Sequence, residues 1–106
     1  MEKEIKIFEN EEFGSVRTLK EEAGRVVFCG KDVAAALGYS NTKDALKRHC
    51  RWGVKHDLPH PQSPSKTIEM TFIPESDVYR LVAHSRLPSA EKFESWIFDE
   101  ILPTIR

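Results

Sequence analysis

The sequence predicts an α+β fold: one small domain in which two antiparallel β-hairpins pack with about four short helices. Three observations predict it. Residues 13–29 and 53–73 each read as two β-rich stretches parted by turn-forming residues. Residues 30–51 and 74–103 carry apolar residues at three- and four-residue steps, interrupted at Gly38 and at residues 86–89. The chain has 106 residues, enough for one domain with a core that needs neither disulfide nor metal.

Each element has its own justification. Ile5, Ile7 and Phe8 begin a first strand, and residues 9–12 form a polar turn. Residues 13–20 read as a strand with Val16 and Thr18 on one face and Arg17 and Leu19 on the other. Residues 21–24 make a hairpin loop in which Gly24 is free to take positive φ. The β-branched and aromatic residues 26–29 return as a strand.

Asp32 is a good N-cap for a short helix carrying Val33, Ala36 and Leu37 on its apolar side, and Gly38 supplies the left-handed stop. A basic helix follows over 40–51, with Ser40 or Asn41 as its cap and Gly53 helping to end it. Ala45, Leu46 and His49 face the core, while Lys43, Lys47 and Arg51 recur at four-residue steps along another side.

Val54, His56 and Leu58 alternate as a strand, and residues 60–65 read as a long mobile tip because Pro61 and Pro64 lack backbone donors. Residues 67–73 return with Ile68, Met70 and Phe72 inward and Glu69 and Thr71 outward. In helix-turn-helix relatives such a hairpin acts as a wing against DNA, which here is an analogy.

Pro74 and the acidic residues after it start a third helix that buries Val78, Leu81 and Val82, with Tyr79 beside them. Residues 86–89 break it, and Ser89 caps a last helix whose stripe is Ala90, Phe93, Trp96, Ile97 and Ile101. Phe98 lies off that stripe, free to meet another domain or subunit, and Pro103 is expected to stop the helix.

Charge narrows the function. The net charge is −1, but it is unevenly spread. Residues 1–29 and 67–106 are net acidic, while residues 30–66 hold seven Lys and Arg against three Asp. The positive charge therefore gathers where the two short helices lie, and a local basic face attracts phosphate even on a neutral protein. Two short helices joined by a glycine turn, the second of them basic, are the local grammar of a nucleic-acid-reading unit.

Other chemistries find little support. No apolar run approaches the roughly 20 residues of a membrane span, and the acidic start is not a signal peptide, so a cytoplasmic, membrane-free protein is expected. Cys29 and Cys50 suit buried or half-buried thiols. His56 and His60 are four apart with a proline between them, so they cannot share a helix face as zinc ligands do; no metal, no other cofactor and no enzyme activity are expected. Trp52 is expected to be buried or half-buried, with stacking on a base as the alternative.

Ordered motifs add a resemblance. KDVAAALGYSNTKDALKRH at 31–49 resembles the centre of the Bro-N domain, the N-terminal module of baculovirus repeated-ORF proteins and prophage antirepressors. Phe13-Gly14 with Val16-Arg17-Thr18 resembles its opening strand, and FIPESDVYRL at 72–81 its middle segment. AEKF at 90–93, Trp96 and LPTIR at 102–106 resemble its closing helix. The match runs from about Phe8 to Arg106. It departs at Pro74, where the family usually has Asn, and residues 51–65 offer no strong pattern to compare.

The resemblance implies a viral or prophage origin, a single Bro-N-like domain over 1–106 that begins a longer protein, and DNA binding in transcriptional regulation. The residues expected to meet double-stranded DNA are Lys43, Lys47, Arg48 and Arg51, joined by Lys31, Asn41 and Lys55. The alternative is a module that binds and inactivates a phage repressor protein without touching DNA, which the near-neutral total charge and the acidic outer thirds also fit. The sequence leaves open whether copies associate as a homo-oligomer.

Overall fold

The computed structural model describes residues 4–21, 23–60 and 62–105. The first three residues, Glu22 of the β2–β3 loop, Pro61 of the hairpin tip, Arg106 of the closing motif and the side chains of Glu4, Pro59, His60 and Pro64 lie outside the described residues.

Strands β1 (Glu4–Asn10), β2 (Gly14–Lys20), β3 (Val26–Cys29), β4 (Val54–His60) and β5 (Ser63–Pro74) form a single antiparallel sheet in the order β1-β2-β3-β5-β4. The two expected hairpin systems are thus merged. The join is the β3–β5 ladder, where Phe28 pairs with Ile73 and Cys29 with Phe72. Helices α1 (Gly30–Ala36), α2 (Thr42–His49) and α3 (Glu75–His84) pack with a C-terminal helix made of α4 (Ala90–Ser95), a π-helical turn (Trp96–Ile101) and α5 (Leu102–Ile105).

Period-two alternation gives the sheet two buried sides. Val16, Phe28 and Ile73 join Val33, Leu81, Phe93 and Ile97 in the main core. Leu19, Val27, Cys29 and Phe72 form a second cluster, closed by Leu58 of β4. β4 stands three places from β2 in the strand order, yet His56 Nε2 lies 3.2 Å from Glu21 Oε2, just past β2. The sheet therefore curls on itself, which buries the second cluster without another layer of helices.

Four local expectations need correction. Asp32 does not cap α1: the helix leaves β3 directly, with Cys29 at the N-cap and no side-chain cap. The Asp32 carboxylate instead accepts from the Arg17 backbone N–H at 3.0 Å and from its guanidinium at 2.8 and 2.9 Å. The β2–β3 ladder begins only at Thr18, so the Arg17 N–H needs another acceptor.

The expected tip over 60–65 is mostly strand, because His60 pairs with Ser63 after a register shift at Pro59. Ile68, expected inward, is 39% exposed, on the wall of an open groove between β5 and α2. Pro103 does not stop the last helix. The preceding turn widens, with the Leu102 N–H donating to the Ile97 carbonyl, and this accommodates a residue that lacks its own donor. Phe98 stacks on Tyr79 of the same chain, with centroids 4.1 Å apart and planes at 4°.

Candidate nucleic-acid interface

The frame that aims α2 is built from α1 and its exit. Gly38 takes φ +84, its N–H donates to the Ala35 carbonyl, and the Tyr39 N–H donates to the Ala34 carbonyl. This is a Schellman stop, and glycine suits it because a Cβ is strained at that φ. The turn is bolted to α3 from both ends. The Tyr39 hydroxyl donates to the Leu81 carbonyl at 2.7 Å, and the Ser85 hydroxyl donates to the Leu37 carbonyl at 2.8 Å. At the other end of α1, a Cβ on Gly30 would lie 2.8 Å from Leu46 Cδ2, so the missing side chain lets α2 lie close.

Asn41 caps α2, its side-chain oxygen accepting from the Asp44 N–H at 3.1 Å. This is a structural role for one expected DNA-binding residue. Ala45 is buried, Leu46 and His49 are half-buried, and Lys43, Lys47 and Arg48 are exposed. The expected basic stripe is shorter than the sequence suggests. α2 ends at His49, so Arg51 stands on the bend after the helix rather than on its face.

Asp77 sets that end. Its fully buried carboxylate accepts from the backbone N–H groups of Arg51 at 3.0 Å and Trp52 at 2.8 Å, and from Arg80 at 2.6 Å. The neighbouring Cys50 thiol is pushed up to about 12 by burial first and by Asp77 second, so it stays a thiol at neutral pH.

The cations fall into two groups. Lys31, Lys43, Lys47 and Arg51 are exposed and make no ion pair among the described residues. Lys31 and Lys43 line one groove of about 320 Å³ between α2 and β5, floored by Leu46, Ile68 and Met70. Arg48 pairs with Asp44 at 3.0 Å, and Lys55 with Glu69 at 3.4 Å. Both pairs are exposed and are worth at most about 1 kcal/mol each, so a phosphate can compete for them.

Trp52, expected to be at least half-buried, is 60% exposed beside Arg51. The sequence could not decide this, because the residue's burial depends on where Asp77 of α3 holds the bend. Sequence reasoning also missed Arg86, which shares a groove with Arg48 on the far side of α2.

His56 is buried, edge-on to Phe72 and close to Glu21. Among the described residues no cluster of three or more His, Cys, Asp or Glu side chains is placed to hold a metal, and no helix is long and apolar enough to cross a membrane.

The family model for the BRO family N-terminal domain, Bro-N, matches residues 15–103. The chain is 45% identical over 93 residues to an uncharacterized protein of Haemophilus influenzae, covering 86% of this chain and 45% of that protein. It is 34% identical to Bro-N domain-containing protein 289L of Invertebrate iridescent virus 6, covering 74% of this chain and 23% of the relative. It is 30% identical to Bro-N domain-containing protein 019R of Invertebrate iridescent virus 3, covering 74% of this chain and 25% of the relative. The chain thus spans less than half the length of these relatives. No solved structure matches it. The match over most of the chain, in a fold whose motifs fall on the expected strands and helices, places this protein in the BRO family, as a Bro-N domain.

Proposed function

We propose that this chain is a non-enzymatic module that binds double-stranded DNA through α2, within a phage or prophage antirepressor-type protein that regulates transcription. One observation carries the reading. α2 presents Lys43 and Lys47 outward with no carboxylate paired to either among the described residues, next to an exposed Arg51-Trp52 bend. A helix with its side chains is about 10–12 Å across, which suits a B-DNA major groove about 12 Å wide. Lys31, across the groove from Lys43, widens the positive surface.

In this reading Lys43 and Lys47 meet phosphates, Trp52 packs against a sugar, and Arg48 and Lys55 join by releasing their exposed carboxylates. Membership in the BRO family supports the same direction. The test is fluorescence anisotropy with a random duplex across a salt series. Replacing Lys43 and Lys47 by Glu should weaken binding at least about tenfold and reduce the slope of log K against log salt by about two. Unchanged affinity and slope would rule out this face.

A second reading has an observation of its own. The groove is lined by Lys31 and Lys43, by apolar Leu46, Ile68 and Met70, and by Glu69, whose charge is met by Lys55, which fits an acidic, partly apolar segment of a repressor. A gel shift with duplex and a pull-down with the phage repressor separate the two readings. Retardation at low salt supports DNA binding. Repressor capture without retardation supports the second reading.

A further inference from the structure

The opposite flank of α2 has a different chemistry. A groove of about 350 Å³ separates it from the end of α3 and is lined by Ser40, Asn41, Arg48, His49, His84 and Arg86. An adjoining hollow of about 410 Å³ shares Ser40, His84 and Arg86 and continues over Leu37, Leu87 and Pro88. His49 is the last residue of α2 and His84 the last of α3, and their rings stack with centroids 4.4 Å apart and planes at 17°. His84 Nδ1 lies 2.9 Å from the Arg80 carbonyl oxygen, so Nδ1 carries the proton and Nε2 is left for another partner.

Counter-charge is scarce here. Asp44 is the only carboxylate lining the groove among the described residues, and it is taken by Arg48 at 3.0 Å. Arg86 is exposed and makes no ion pair among the described residues. Arg80 turns its guanidinium to buried Asp77 and offers the histidines only its carbonyl. Tyr39 packs against His49 at 5.8 Å, and its hydroxyl donates a hydrogen bond to the Leu81 carbonyl. Two arginines and two imidazoles therefore converge on a space large enough for an anion. Protonating the stacked rings without one sets like charges together.

We propose that this groove seats a phosphate group, held by Arg86 and Arg48 and by the imidazolium forms of His84 and His49. The phosphate's oxygens accept from the guanidinium forks and from the ring N–H groups, and binding is coupled to proton uptake by the histidines. The proposal deepens the DNA reading and rests on it for one source of the phosphate, a backbone diester gripped on the flank of α2 away from Lys43. The other source is free inorganic phosphate.

The test follows the ring resonances of His49 and His84 by NMR as pH is varied. The chain is measured alone, with inorganic phosphate, and with a random duplex at low salt, both as wild type and as Arg86→Gln. Wild type should show the pKa of His49 rising with ligand and the His84 ring resonances moving with it. Affinity should rise as pH falls, by up to about tenfold per pH unit for each proton taken up. Arg86→Gln, at an exposed position, should lose most of both effects. A response to duplex supports the backbone source, and a response to inorganic phosphate alone supports the free ligand. Histidines that ignore both ligands, or respond equally in Arg86→Gln, overturn the proposal. If the duplex binds while the histidines do not move, the site fails and the DNA reading stands. If the duplex does not bind while inorganic phosphate moves the histidines, the DNA reading fails and the site stands.

Discussion

α1 and α2 are almost the same length and stand one glycine turn apart, yet they differ in what they present. α1 buries Gly30, Val33 and Ala34 and keeps Lys31 as its only cation. α2 buries only Ala45 completely and exposes Lys43, Lys47 and Arg48. The first helix braces the sheet, and the second is displayed. Their different surroundings, rather than helical propensity, separate the roles: short helices are held by tertiary packing. The comparison teaches that burial of the first helix sets the direction in which the second is displayed.

The sharpest way to break the comparison is to put charge into the brace. Ala34→Glu places a carboxylate at a site with 0% exposure and should cost at least about 3 kcal/mol, while Lys47→Glu on α2 should stay within about 0.5 kcal/mol. Urea midpoints of the two variants measure the contrast, and equal losses would mean that the helices are not buried differently.

The next effect tests what ends α2. Asp77→Ala leaves two backbone N–H groups and Arg80 without their acceptor and should cost about 3 kcal/mol. Thermal melts measure the loss, and faster amide exchange at Arg51 and Trp52 would locate it. A smaller loss is expected at the hinge, where Gly38→Ala forces a side chain into φ +84 at about 1–2 kcal/mol. There a Cβ meets Leu87 only at ordinary contact distance, so strain rather than a clash is the cause, and Gly38→Asn should recover part of the stability.

The smallest effect is a pH dependence. Burial first, then His84 and Arg48, push the pKa of His49 down, with Asp44 opposing. The unfolded chain therefore takes up this proton before the folded chain does as pH falls. The His49 contribution is intact above the unfolded value of about 6.5 and declines as pH drops through the lower folded value. Melts between about pH 7.5 and 5.5 should show a shallow fall that flattens in His49→Gln. A fall of equal slope in that variant would assign it elsewhere.

Much of the fold was legible in the sequence because its signals are local. Alternation in β2 and β3, the glycines at 24 and 38 and the Phe93–Ile97 stripe all act within a few residues. The Lys43–Lys47 face was legible for the same reason, since helical spacing fixes it. Arg51 and Trp52 were not, because Asp77 ends the helix from 26 and 25 residues away. The His49–His84 stack and its link to Arg86 were hidden for a similar reason: two helices must meet before their last residues can.

By itself, then, the sequence determined the elements, the family motifs and the concentration of positive charge in residues 30–66. Tertiary structure alone decided that the hairpins join through β3 and β5, that the sheet curls to bury a second cluster, and which cations keep no partner. The physical reason is range. Backbone geometry and side-chain periodicity act over a turn or a strand, whereas burial and charge pairing depend on residues that only the folded chain brings within a few ångströms.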